Sequence, residues 1–159
     1  MEQKQENFSQ LLAFGEEGEH EVAKYLISKG VNVLPLYQFM NDHAPYILGA
    51  ERKVVSPDLI CFRKDCFMVE VKTKNQWVKH NGTIETGIDR RLYNHYKTIQ
   101  ELTRKEVYVI FNHKTQEPLG YFMAELNNYT RIWDGLVKGK RVHPAMVFYN
   151  KNTLKQLQQ

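Results

Sequence analysis

Asp58, Glu70 and Lys72 are the residues of this chain best placed to do chemistry. They lie within SPDLICFRKDCFMVEVKTK, residues 56–74. The rest of that stretch reads as two apolar strands around a charged turn. Core strands carry charge at a cost unless it is paired or bound to an ion. Side chains alternate faces along a strand, so Glu70 and Lys72 project together with Cys66 and Met68, while Asp58 shares a face with Ile60 and Phe62. A three-residue turn, Arg63-Lys64-Asp65, pairs Phe62 with Cys66 and sets Asp58 opposite Glu70. A two-residue turn, Lys64-Asp65, would send Asp58 to the wrong face. Lys-Asp is not the Asn-Gly type of tight-turn pair, whereas Asp tolerates the left-handed position of longer turns.

Two opposed carboxylates repel unless one is protonated or a cation lies between them. Their hard oxygens suit Mg²⁺ or Mn²⁺, and Lys72 adds a positive charge. Such a group could polarise a phosphate and activate a water. Glu-x-Lys alone at a strand end is an ordinary ion pair. Pro-Asp, an apolar strand, a short turn and a second apolar strand ending in Glu-x-Lys is a much rarer combination.

The elements that must position these residues follow from periodicity. A helix is expected over about 8–29, with Leu11, Gly15, Gly18, Val22 and Leu26 on one stripe, Ser9 as N-cap and Gly30 past its end. VNVLPLYQF reads as a strand whose Pro35 marks an edge or bulge, and residues 40–56 as irregular surface chain. After the hairpin, NQWVKHNGTIETG reads as a long connection of the kind that carries function. Asp89 can cap a second helix over about 90–104, with Leu92, Tyr96, Ile99 and Thr103 on one face. EVYVIFNH, PLGYFMAEL and AMVFYN read as strands, residues 130–144 as a basic loop or lid, and the chain from about 151 as a flexible helical tail. The order α-β-β-β-α-β-β describes a mixed α+β sheet flanked by helices, expected to be one domain over 1–159.

The composition is compatible with this. Of the 159 residues, 42% are apolar, which excludes a disordered chain. No apolar run approaches the roughly 20 residues of a membrane span and no secretory segment is recognisable, so a soluble, cytoplasmic protein is expected. The net charge of +4 and pI near 9.0 permit a nucleic-acid partner without requiring one. Cys61 and Cys66 have no disulfide or metal spacing.

The hairpin resembles the core motif of the PD-(D/E)XK nuclease superfamily, the restriction-endonuclease-like fold. The motif reads here as Pro57-Asp58, eleven intervening residues, then Glu70-Val71-Lys72. The resemblance implies that Asp58, Glu70 and the carbonyl of Val71 hold Mg²⁺, with Mn²⁺ as a substitute, and that Lys72 positions the attacking water. Gly15-Glu16-Glu17-Gly18-Glu19 resembles the Gly-x-x-x-Glu pattern of Holliday-junction resolvases, which implies Glu19 as a further catalytic and metal-shell residue. Glu19 also falls on the apolar stripe with Val22, Ala23 and Leu26, where its other reading is a stripe-edge residue reaching for water. Glu16, Glu17 and Glu21 read as solvated charges. Some branches carry Gln-x-x-x-Tyr on the second helix. Here Tyr96 could supply the tyrosine, but Leu92 stands in place of the glutamine, and Arg91, Tyr93 or His95 are the substitutes. The pattern is therefore closer to resolvase-like or phage-type endonucleases.

Lys74, Trp77 and Lys79 interleave basic and aromatic residues, as contacts to phosphates and bases do; a solvated loop with one packed Trp is the other reading. Lys138, Lys140, Arg141 and His143 form a second basic cluster, whose other reading is an ordinary polar turn. The resulting expectation is a Mg²⁺-dependent endonuclease acting on double-stranded or branched DNA, with a homodimer as one arrangement that serves two strands. A non-catalytic DNA-binding or assembly module of the same fold, and an RNA-directed nuclease, are the alternatives.

Overall fold

The structure, a computed structural model, describes residues 2–36, 45–49 and 53–157, with side chains from residue 15 onward. Helix α1 (Glu2–Ser28) precedes strand β1 (Asn32–Pro35), the short strands β2 (Tyr46–Leu48) and β3 (Lys53–Val55), and the hairpin β4 (Leu59–Phe62) and β5 (Cys66–Lys74). There follow β6 (Val78–His80), β7 (Thr83–Asp89), α2 (Arg90–Thr103), β8 (Val107–His113) and β9 (Gly120–Glu125). The chain closes with β10 (Arg131–Trp133), β11 (Leu136–Val137), β12 (Lys140–Arg141), β13 (Met146–Asn150), a 3₁₀ turn (Lys151–Thr153) and β14 (Lys155–Leu157).

The main sheet has six strands in the order β1-β4-β5-β8-β9-β14. The β5–β8 pair is parallel and the other pairs are antiparallel. This is the expected mixed sheet, and the elements α1, β1, β4, β5, α2, β8 and β9 follow the expected α-β-β-β-α-β-β order. A second sheet, β10-β13-β7-β6, is added to it. One face of the main sheet packs on α1 through Val22, Ala23, Leu26, Val69, Val71 and Ile110. The other packs on α2 and the second sheet through Met68, Ile88, Tyr96, Ile99, Val109 and Phe111.

Several elements depart from the sequence reading. Helix α1 begins at Glu2, so Ser9 lies within it and not at its start. Within residues 40–56, β2 and β3 pair as a hairpin, and Val54 is buried against the core on the α2 side. Residues 37–44 and 50–52 lie outside the described residues. The long connection after the main hairpin is itself a hairpin: β6 and β7 pair around Asn81-Gly82, both with positive φ (46° and 77°). That is the geometry of a primed two-residue turn, for which Asn-Gly is the preferred pair. The basic segment 130–144 carries β10 and the small β11–β12 hairpin. The expected helical tail is a 3₁₀ turn and an edge strand, β14, paired with β9. Pro35 does end a strand at the sheet edge, where a missing N–H breaks no ladder.

Candidate active site

The β4–β5 register is the one a three-residue turn requires: Phe62 pairs with Cys66 and Leu59 with Val69. Asp65 holds the turn, with its carboxylate accepting from the N–H of Cys66 at 2.7 Å and an ammonium of Lys105 at 2.6 Å. The next pair in that register is Asp58 with Glu70. Asp58 lies just ahead of the first residue of β4 and instead turns its carboxylate across to accept from the backbone N–H of Val71 at 2.7 Å. The N–H and C=O of a strand residue point to the same side, so the Val71 carbonyl faces the same gap.

Glu70 is buried, 1% exposed. One of its oxygens forms an ion pair with Lys72, whose side chain is 30% exposed. The other, Oε2, is buried and has no hydrogen-bond partner. A buried acceptor left this way is rare and calls for an explanation. Glu85, the other buried glutamate of the sheets, is by contrast paired with Arg131 at 2.8 Å.

Helix α1 brings Glu19 to this group. Gly18 packs so close to β5 that a Cβ there would lie 1.8 Å from Thr73 Oγ1, whereas a Cβ on Gly15 would meet nothing within 4 Å. It is Gly18, and not the Gly15 of the sequence pattern, that lets the helix approach. The approach is reinforced by Lys114, which pairs with Glu21 at 3.0 Å and Glu17 at 3.5 Å, and by Asn112, whose amide donates to Glu21 at 2.9 Å. Glu21, half-buried and held by both partners, is therefore a helix-anchoring group and not the solvated charge expected of it, whereas Glu17 is exposed, as expected.

The electrostatics are those of crowded acids. Burial pushes the Asp58 carboxyl well above the usual range, with the Glu70 charge adding to it, against Lys72 and the Val71 N–H. Burial raises Glu19 to about 7, with Lys72 opposing and Glu70 adding. Burial works against the Lys72 ammonium, but Glu70 and Asp58 outweigh it and hold the amine protonated. Tyr96, 1% exposed, faces the same acids: burial, then the Glu70 and Asp58 charges, and a hydrogen bond to the Glu70 carboxylate, raise its phenol. Of the second-helix candidates, Tyr96 is thus the one that meets the site.

The residues expected to touch substrate are dispersed. Lys74 is half-buried on the Glu70–Lys72 face of β5, its amine pushed down to about 8 by burial and by Lys72. Trp77 is buried, its ring stacked on His113 at 3.6 Å and its indole N–H donating to the Pro118 carbonyl. The face expected to stack on a base is taken by His113. Tyr93 is buried too, its hydroxyl donating to Asn127 at 3.2 Å. Lys79 and Arg91 are exposed and His95 half-buried, and none of them is brought to the carboxylates by an observed contact.

Among the described residues, no three His, Cys, Asp or Glu side chains close around a point as a complete metal cage. Asp58 and Glu70 offer two carboxylates and the Val71 carbonyl a third oxygen. That set suits Mg²⁺, which keeps several waters and takes one or two carboxylates plus substrate phosphate. The unpartnered Glu70 Oε2 is the observation that fits a cation there.

No family model and no curated protein matches the chain. Among solved structures it is similar to Hjc, a Holliday junction resolvase from the archaeal hyperthermophile Archaeoglobus fulgidus. The TM-score is 0.55 at 11% identity, over 87% of this chain and 90% of that one. At that identity the likeness is one of fold: a mixed α+β architecture around a central mixed sheet.

Proposed function

We propose that this chain is a Mg²⁺-dependent endonuclease that hydrolyses phosphodiester bonds in double-stranded or branched DNA, with Mn²⁺ as a substitute. The observation that carries the reading is the buried, unpartnered Glu70 Oε2 beside Asp58, with Lys72 held on the other Glu70 oxygen. The likeness to the resolvase supports the branched-DNA part at the level of fold.

Asp58, Glu70 and the Val71 carbonyl would hold the ion, with Glu19 reaching it directly or through water. When bound, Mg²⁺ supplies Lewis-acid polarisation of the scissile phosphate. The chain does the rest. The N–H of Val71 fixes the Asp58 carboxylate, and burial of Glu70 keeps its oxygens out of competition with bulk water. Lys72, partly exposed, orients the attacking water and offsets negative charge as the phosphorus becomes five-coordinate. The water oxygen forms the new P–O bond and gives up a proton to solvent, the bond to the leaving oxygen breaks with its electron pair, and that oxygen takes a proton from solvent. Tyr96 closes the site from the α2 side.

The test is incubation with supercoiled plasmid, linear duplex, a four-way junction and RNA, each with Mg²⁺, Mn²⁺ or EDTA. Metal-dependent cleavage of duplex or junction is expected. Cleavage that persists in EDTA would remove the metal mechanism, and cleavage of RNA alone would reassign the substrate.

A further inference from the structure

A cavity of about 740 Å³ opens between the start of α2 and the β11–β12 hairpin, with Arg90, Arg91, Asn94, His95 and Arg141 in its walls. Among the described residues none of the three arginines forms an ion pair. Arg141 donates only to the Asp134 carbonyl, at 3.3 Å. The one acid in the lining, Asp89, is engaged by the N–H of Arg91 at 2.7 Å. The N–H of Arg90 donates to the Ala145 carbonyl at 2.8 Å. The leading backbone donors of the helix are therefore used, and an anion here would be held by side chains.

The opposite wall is fixed as well. Lys138 and Gly139 turn the β11–β12 hairpin with positive φ (49° and 76°), and Leu136 pairs with Arg141. The carbonyl of Gly135 accepts from the N–H groups of Val142 and His143 at 2.9 and 3.3 Å. A Cβ at Gly135 would lie 1.9 Å from the His143 carbonyl oxygen, so this closure needs glycine. Arg141 is thus presented from a hairpin with a tied base, across from Arg90 and Arg91, with Lys138 and Lys140 beside it.

Guanidinium forks suit phosphate oxygens, and three of them unpaired around one wide cavity point to a polyanion. We propose that the cavity is a second anion site that grips a backbone phosphate of the DNA, away from the scissile one. This rests on reading the hairpin site as a DNA-cleaving one. Arg91 lies five residues before Tyr96, about 7.5 Å along the helix axis, so one helix links the grip to the cleavage site. A terminal 5′-phosphate shares the chemistry.

The experiment measures binding of a fluorescent duplex by anisotropy in EDTA across a salt series, for wild type, Arg90→Ala/Arg141→Ala, Arg141→Glu, Arg141→Lys, and Lys155→Ala on the far edge strand. Thermal melts verify folding, and Mg²⁺ cleavage is run alongside. The double variant should bind about tenfold or more weakly, with the salt slope shallower by about two, roughly one per lost phosphate contact. Arg141→Glu should be weaker still, Arg141→Lys should fall between wild type and the double variant because it keeps the charge but loses the fork, and Lys155→Ala should bind like wild type. Duplexes with 5′-hydroxyl and 5′-phosphate ends should behave alike; loss of the effect on 5′-hydroxyl duplex would reassign the cavity to a terminal phosphate and overturn the backbone grip. If wild type cleaves DNA and the folded variants bind with unchanged slope, the cavity proposal falls and the nuclease reading stands. If wild type binds through the arginines but never cleaves with metal, the nuclease reading falls and the cavity stands. If wild type binds no DNA, both fall.

Discussion

The backbone N–H of Val71 donates to the Asp58 carboxylate at 2.7 Å, one residue along from a buried glutamate. The bond places an acid immediately ahead of strand β4. It also makes the second strand of the hairpin, not only the turn, responsible for where Asp58 points.

Lys72 is both the counter-charge of Glu70 and the proposed water-orienting group. Lys72→Met should abolish cleavage. It should also lower stability in EDTA by about 3 kcal/mol, because an unpaired charge remains in the interior. Mg²⁺ should recover much of that stability, by binding the native state, while cleavage stays absent. Melts and single-turnover assays read the two effects separately, and a folded variant that still cleaves would strike Lys72 from the mechanism.

Asp58 has a raised carboxyl pKa in the folded chain. For such an acid the native state holds its proton longer than the unfolded state does. Stability therefore falls as pH rises above the ordinary value of 3.8 toward the folded value. Asp58→Asn keeps an acceptor for the Val71 N–H and removes the charge. In EDTA its melting temperature should exceed wild type at pH 7.5, and the difference should shrink toward pH 4. Added Mg²⁺ should raise wild type and leave the variant nearly unmoved. Equal Mg²⁺ shifts in both proteins would show that Asp58 holds no ion.

Gly18 should not tolerate a side chain. Gly18→Ala gains about 1 kcal/mol of helix propensity, but its Cβ meets Thr73 Oγ1, and overpacking of this kind costs about 1–3 kcal/mol. The helix must shift and take Glu19 with it, so the cleavage rate should drop more than stability does. Thr73→Ala in the same chain should restore much of both. If the single variant cleaves normally, the close approach does not position Glu19.

His113 is buried, with both ring nitrogens lacking hydrogen-bond partners. Burial, then Lys74, lowers its pKa from 6.5 to about 4. The unfolded chain takes up the proton first, so this residue's share of stability is present above about 6.5 and is lost as pH falls toward about 4. His113→Phe keeps an aromatic ring against Trp77 and removes the titration. Its melting temperature should fall less than that of wild type between pH 7 and pH 4.5. Parallel curves would mean that His113 takes up its proton alike in the folded and the unfolded chain.

The hairpin and its register were legible because period-two alternation and turn chemistry are local. The acids on it were legible because charge in an apolar strand is anomalous. Asp89 was found as a cap, its carboxylate accepting from Arg91, for the same local reason. The β6–β7 hairpin was missed although Asn81-Gly82 announces it: β6 is only three residues long and exposed, so it shows no apolar alternation. β14 was missed because three residues carry no period, and only the free edge of β9 makes them a strand. Trp77 read either as a base-stacking aromatic or as one packed in a solvated loop, because nothing nearby in sequence shows that His113 covers it. Gly18 looked like one glycine of a pattern, and its necessity arises only from Thr73, distant in sequence. Tyr96 was visible as a candidate, but its place against Glu70 depends on how α2 docks.

The parallel pairing of β5 with β8 also sets an order of events during folding. The β4–β5 hairpin closes a three-residue turn and can form within microseconds. The β5–β8 pair must first enclose everything from residue 75 to 106, including β6, β7 and α2. Non-local pairings of this kind are slow, because loop entropy is lost before the contacts form. Asp58 and Glu70 thus meet early, on a hairpin still open to water that can solvate both charges. Glu70 becomes buried only when α2 and β8 dock over it, so the electrostatic cost of the site falls on the late, rate-limiting stage. A divalent cation present during refolding should then speed the final phase in addition to stabilising its product.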